Sequence, residues 1–351
     1  MVLQRLPRQP VLDGIDLFRR LDADEDGLTL DDPHRVDKVV ADVADKLREA
    51  LATPTTVQGW RAQAMFSSLV AALDECDLMT FVDTGEIYYD GAKVKAPDFF
   101  LHLRSGRRLL VDVKSHSTPG VFSPDASVKF KASEVARLSR FAEMYAAELF
   151  FAIYFPEIAT WILLAKDDFE TTSTGSSRIT VMDALRRNRL ALLGDRTIGT
   201  VSPLELVLHV DPDKRRSVDE DGKAVFIVKS VELLAAGTTI TDETEQKIAY
   251  FLMLYGNFPA EQEPIFEGGQ LTQLRMHAAS VEESGHGFEV VGPLSSMYAR
   301  LFEGRTTGPM GVTALDISID PGTLATLIPK DFDFAGSKLP LWVMELNPGE
   351  D

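Results

Sequence analysis

Cysteine is almost missing: Cys76 stands alone in 351 residues, which excludes an internal disulfide and any zinc site built on a cysteine cluster. The six histidines are scattered and do not supply one either. Basic residues are in deficit, 36 against 54 acidic, and the net charge of −18 argues against indiscriminate attraction to nucleic acid or anionic membranes. Long apolar runs are lacking as well. The densest, Leu149 to Phe155, is far too short to span a bilayer, so no membrane role follows. The opening MVLQRLPRQP meets Pro, Asp and Gly without the apolar stretch of a secretory signal. No phosphate loop, dinucleotide glycine fingerprint or serine-nucleophile elbow is present. Together these gaps point to a reducing, cytoplasmic setting. What remains is ordinary globular composition, 45% hydrophobic and 26% charged, in a chain long enough for a large core and for more than one domain.

Residues 35–51 place Val36, Val39, Val40, Val43, Leu47 and Leu51 at helical spacing. A loop ATPTTVQG follows, then a second helix from Trp60 to Leu73 with Met65, Phe66, Leu69, Val70 and Leu73 as its buried stripe. Strand signals take over at 79–89, 96–103 and 109–114, with turn residues Asp90-Gly91 and Ser105-Gly106 between them, which reads as an antiparallel meander. Residues 131–147 return to a helical period, and apolar runs at 149–155 and 160–165 predict two more strands. The expected fold is α/β, a central mixed sheet flanked by helices, followed by a C-terminal α+β region. The divisions suggested are 1–55, an N-terminal helical segment; 56–170, the core; and 171–351, a substrate- or partner-binding region. The loop-like ETTSTGSSR at 170–178 marks the second boundary. Beyond it, a helix at 181–193, strands at 204–210 and 224–229 and a helix at 242–256 are expected, and residues 257–351 give a mixed pattern.

The chemistry concentrates in APDFFLHLRSGRRLLVDVKS, where Pro97-Asp98 is followed, after thirteen residues, by Asp112-Val113-Lys114. Alternation puts Asp112 and Lys114 on one strand face and Leu109, Val111 and Val113 on the other. If the Ser105-Gly106 turn pairs Leu103 with Leu109, Asp98 falls opposite Lys114 and Asp112 lies diagonal to Asp98, with backbones about 7–8 Å apart. Two carboxylates meeting in an apolar hairpin repel, unless one takes a proton or a cation neutralises both. All-oxygen ligands favour Mg2+ or Mn2+ over zinc. A metal-polarised phosphoryl oxygen, an activated water and a lysine are equipment for phosphodiester hydrolysis.

These residues resemble the signature of the PD-(D/E)XK nuclease superfamily, the restriction-endonuclease-like proteins, over roughly residues 58–166. The resemblance implies that Asp98 and Asp112 bind the metal with the backbone carbonyl of Val113, and that Lys114 is the catalytic lysine. It implies a glutamate on the first helix too, where this chain has Gln63, a neutral departure; Glu75 or Glu86 are the alternative acids. The expected function is an Mg2+-dependent endodeoxyribonuclease, a restriction or anti-phage defence effector. Dimers are common in that family, so a homodimer is implied, with the C-terminal half left for a partner protein. Two alternatives stay open: a degenerate nuclease fold serving as a protein-interaction subunit, or an RNA-directed nuclease.

From Lys93 to Arg140 ten basic residues face four acidic ones, a local reversal of the chain's charge that suits a phosphate backbone. Lys129, Lys131 and Arg137 on the helix after the motif, with His116 two residues beyond Lys114, are the candidate nucleic-acid contacts. His102 shares the Asp98 face. Arg186, Arg187 and Arg189, and Lys214, Arg215 and Arg216, are further basic clusters that read first as solvated turns and helix faces. DADEDGLTLDDP at 22–33 imitates a calcium loop but ends on Pro33 where a glutamate is needed, so it reads as an acidic surface loop.

Overall fold

Each amphipathic helix and alternating strand needs a second layer to cover its apolar side. The arrangement that satisfies them is seen in a computed structural model, which describes residues 3–4, 10–22, 29–83, 87–89, 93–118, 120–214, 225–282, 284–330, 332 and 336–346. Three helices lead: α1 (Pro10–Leu21), α2 (Pro33–Ala52) and α3 (Pro54–Leu73). Pro at the first position of α2 and α3 suits a place where the backbone N–H has no helical acceptor, and Asp32 caps α2 by accepting from His34 N–H. The segment expected to be a loop before Trp60 is therefore the first turns of α3.

The meander follows as β1 (Cys76–Phe81), β2 (Phe99–Leu103) and β3 (Arg108–Ser115), all antiparallel. The first strand is shorter and earlier than its sequence signal; the expected turn at Asp90-Gly91 lies outside the described residues. After β4 (Ser127–Phe130) and α4 (Ala132–Met144), the chain returns as β5 (Glu148–Phe155), parallel to β3, and reverses into β6 (Thr160–Ala165). Parallel neighbours need a long crossover, and α4 supplies it. The result is a mixed sheet in the order β1-β2-β3-β5-β6.

Both faces of this sheet are covered. Phe99, Leu101, Val111 and Val113 pack with Met65, Phe66, Leu69 and Val70 of α3. Leu110, Phe151 and Ile153 pack with Val135, Leu138 and Phe141 of α4. A Phe66–Trp161 contact of 5.5 Å and a Phe66–Phe99 contact of 5.7 Å lock α3 onto the strands.

The remaining residues build further layers on this frame. Strands β7 (Glu170–Thr171) and β8 (Ser177–Thr180) join β4 in a small sheet, and α5 (Val181–Arg186) follows. The expected 181–193 helix thus stops at Arg186, with a separate short turn at Leu190–Leu193. Next come β9 (Thr197–Thr200), β10 (Leu204–Val210), β11 (Val228–Ala235), β12 (Thr238–Thr239), α6 (Glu243–Tyr255), β13 (Ala260–Glu267) and β14 (Gln270–Ala278). The strand expected at 224–229 is displaced, because pairing with β10 begins only at Val228. Strands β12-β11-β10-β14-β13 form a second five-stranded sheet with α6 packed on it. Then β15 (Glu289–Pro293), α7 (Leu294–Thr306), a small hairpin and a short helix lead to a final strand, Leu341–Met344, beside β9. One apolar core runs from α3 through Trp161 to Leu252 of α6 and to Met297 and Phe302 of α7.

Candidate active site

At the end of β2, where the chain bends before the strand begins, Asp98 is nearly buried, and Asp112 in the middle of β3 is 1% exposed. Asp98 Oδ1 accepts a hydrogen bond from Gln63 Nε2 at 2.6 Å, and its Oδ2 accepts the Val113 backbone N–H at 2.5 Å. Lys114 Nζ stands 2.5 Å from Asp112 Oδ2. That contact is a charge pair, ammonium against a buried carboxylate oxygen. Lys95 Nζ reaches the other Asp112 oxygen at 3.7 Å and also pairs with Glu134 in the first turn of α4. The structure therefore brings Gln63, Asp98, Asp112 and Lys114 together and adds Lys95 and Glu134.

The hairpin register differs from the expected one. Leu101, not Leu103, lies opposite Leu109, because the loop is only Arg104-Ser105-Gly106. Leu103 N–H bonds to Arg107 O at 2.9 Å, and Gly106 takes φ +84°, a conformation that favours glycine. The strand pairing ends at Phe99–Val111 and Asp98 bends off it, its N–H on Val111 O at 3.0 Å, so the expected Asp98–Lys114 pair does not form; Asp112 is still near enough for its charge to act on the Asp98 carboxyl.

Their proximity shows in the electrostatics. Burial, reinforced by the negative charge of Asp112, pushes the Asp98 carboxyl up to about 6, although the Val113 N–H and Lys114 pull the other way. Burial alone would lower the Lys95 ammonium and raise Glu134. Their mutual hydrogen bond, with Asp112 and Asp98 acting on Lys95, reverses both: Lys95 is held above its ordinary value and Glu134 below.

Other candidates fall elsewhere. Glu75 lies at the turn end of the hairpin, paired with Lys330 at 2.6 Å, and does not join the acid pair. Glu86 is outside the described residues. His116 continues the β3–β5 pairing through its N–H to Tyr154 O, and its ring meets Phe155 edge-on at 5.9 Å. His102 is near the turn, 3.7 Å from Asp77. Lys129, Lys131 and Arg137 are exposed on β4 and the start of α4; Arg137 Nε bonds to Ser133 O. The basic excess around the motif divides between the two ends of the sheet: Arg104 pairs with Asp74 and Arg107 with Glu148, both at the turn. Arg189 and Arg187 converge on buried Asp168, and Arg186 approaches Asp183. Arg215, Arg216 and residues 23–28 of the acidic loop lie outside the described residues. A shallow cleft lined by Arg108, Ser139, Glu143 and Lys166 is also at the turn end and shares no residue with the acid pair.

Lys95 and Glu134 were not legible as site residues. Lys95 precedes the Pro-Asp by two positions, and Glu134 borders the buried stripe of α4 next to Val135. Only the crossover brings them within reach of each other, 39 residues apart.

Among the described residues no three His, Cys, Asp or Glu side chains gather as a complete metal cage. The buried Asp98 and Asp112 carboxylates, oxygen donors near one another, nevertheless fit a hard divalent cation that keeps most of its own waters.

No family model matches the chain, and no curated protein matches it. Among solved structures, the Holliday junction resolvase Hjc of Archaeoglobus fulgidus is similar at 20% identity, covering 30% of this chain and 77% of the resolvase with a TM-score of 0.23. A likeness that faint carries no weight for function; the geometry of the acid pair does. No described helix is long and apolar enough to cross a membrane.

Proposed function

We propose that this protein is a metal-dependent nuclease that hydrolyses DNA phosphodiester bonds, acting as an endonuclease of the restriction or anti-phage type. The observation that carries the reading is the buried Asp98–Asp112 pair with the Lys114 ammonium 2.5 Å from Asp112. Charge buried in an apolar sheet is costly, and a buried acid pair beside a lysine, with the Asp98 carboxyl pushed up by burial, is a mark of chemistry. Mg2+ or Mn2+ held by Asp98, Asp112 and the Val113 carbonyl would supply Lewis acidity and a more acidic water.

The chain's own residues do the rest. Lys114 stabilises negative charge growing on the phosphoryl oxygens. Gln63 fixes the orientation of Asp98 through its amide. Glu134 holds Lys95 beside Asp112, so a second ammonium stands at the entrance for the polyanion. Lys129, Lys131 and Arg137 are exposed and remain the candidate contacts to the nucleic-acid backbone.

The test is cleavage of supercoiled plasmid by purified protein with Mg2+, Mn2+ or EDTA, beside the Asp112→Asn variant. Metal-dependent nicking that the variant loses is the expected result; nicking that persists in the variant overturns the assignment. A second reading, a degenerate fold used as a protein-interaction subunit, is favoured by one observation: both Asp98 oxygens already hold donors, one of them from the neutral Gln63. It predicts no plasmid nicking and no calorimetric Mn2+ binding that depends on Asp98 and Asp112.

A further inference from the structure

Helix α2 is nearly naked. Val39 alone among its side chains is buried, while Val36, Val40, Leu47 and Leu51 are each 40–60% exposed. At about 100° per residue, these four and the half-buried Val43 and Ala44 fall within one stripe about 100° wide. Helices α1 and α3 touch α2 and partly cover Val43 and Ala44, while the four large side chains stay open among the described residues.

The stripe has a symmetry of its own. Val43 and Ala44 flank its midpoint, Val40 and Leu47 lie about one turn out on either side, and Val36 and Leu51 about two turns out. Turned end for end about that midpoint, it sets Val36 against Leu51, Val40 against Leu47 and Val43 against Ala44, apolar against apolar throughout. A symmetric homodimer interface demands this self-complementarity, which an unrelated partner does not require.

Charge points the same way. Asp37 and Arg48 border the same edge of the stripe, near opposite ends. Antiparallel pairing of two copies sets Asp37 against Arg48 of the other copy, twice. Within one chain Arg48 pairs with exposed Asp45 at 2.7 Å, one turn along the same helix. The helices that touch α2 add further exposed apolar side chains, Val11, Leu12 and Ile15 of α1 and Trp60 of α3, so the open apolar surface is not confined to one helix.

We propose that α2 is a homodimer interface, with two copies packed antiparallel about a twofold axis between Val43 and Ala44. The occupant is a second copy of this chain, and the inference is independent of the nuclease reading.

Light scattering coupled to gel filtration tests it on the full chain at micromolar concentration. The wild type should have twice the 38.8 kDa chain mass. Val40→Glu/Leu47→Glu should halve that mass with the circular dichroism unchanged, since both positions are exposed and tolerate charge in the monomer. Asp37→Arg should weaken the dimer, and Asp37→Arg/Arg48→Asp should restore it. Val40→Cys/Leu47→Cys should form a covalent dimer on mild oxidation. The buried native Cys76, its thiol pushed up to about 12 by burial, leaves that readout clean. A monomeric wild type, or a dimer that survives both glutamates, overturns the proposal; so does a cysteine pair that fails to cross-link within a dimer.

Discussion

The two five-stranded sheets treat charge in opposite ways. In the first, β3, β5 and β6 are covered on both faces and read as nearly unbroken apolar runs, yet Asp112 sits inside at 1% exposure. In the second, α6 covers one face, and the other carries ion pairs in contact with solvent: His209 with Glu232, and His277 and Arg275 with Glu205. Surface pairs of this kind cost little to form and contribute little. A carboxylate kept inside an apolar layer costs several-fold more. The contrast marks the first sheet as the one that keeps a carboxylate where burial opposes it, the feature on which the nuclease proposal stands.

A second contrast sharpens it. Asp98 and Asp195 are both buried, and burial pushes each up to about 6. Asp195 takes Ser295 N–H at 2.9 Å and Ser295 Oγ at 2.6 Å, so it closes the start of α7 and its donors justify it structurally. Asp98 holds two donors as well, Gln63 Nε2 and the Val113 N–H, but the negative charge of Asp112 bears on it, whereas the charge that bears on Asp195 is the Arg196 cation.

The largest effect should be on cleavage. Asp112→Asn and Lys114→Met are each expected to lower the plasmid nicking rate by ~10³ or more, the usual scale for removing a group that stabilises the transition state. Initial rates on protein of verified fold would show it, and near-wild-type activity in either variant would erase the distinction between the sheets. Next comes Asp98→Asn. A raised carboxyl pKa means the folded state holds the proton more tightly than the unfolded one between 3.8 and about 6. Stability therefore falls as pH rises through that window. The asparagine variant escapes this penalty and should gain up to about 3 kcal/mol over wild type above pH 6, shrinking to nothing below pH 4. Denaturant unfolding at pH 8 and pH 4 measures it; a destabilised variant at pH 8 would place Asp98 with the structural aspartates. Asp195→Ala should do the reverse and cost about 2 kcal/mol, because Ser295 loses its acceptor. The smallest change belongs to the open sheet: Glu232→Ala should shift stability by less than about 1 kcal/mol and leave nicking untouched.

The motif and its hairpin were readable because alternation and a Gly turn are local signals. The hairpin register was not, since a three-residue loop and a five-residue loop differ only in how Gly106 twists. Gln63 was found through the apolar spacing of α3, whereas Lys95 and Glu134 depend on a crossover that brings distant segments together. The second sheet was half visible. Strand β10 has a buried apolar period, but β13 is exposed along most of its length and carries Glu261, Glu263 and Pro264, so nothing in it resembles a strand until β14 pairs with it.

Arg61, one turn before Met65 on α3, is buried, and its Nη2 bonds Glu303 at 2.6 Å and Thr306 Oγ1 at 2.7 Å on α7. The helix that carries Gln63 thus takes its anchor from residues made more than two hundred positions later. During synthesis the acid pair emerges long before that anchor does. A growing chain can therefore seat α3 on the sheet through Phe66 first, and gains the Arg61 tie only after α7 has left the ribosome.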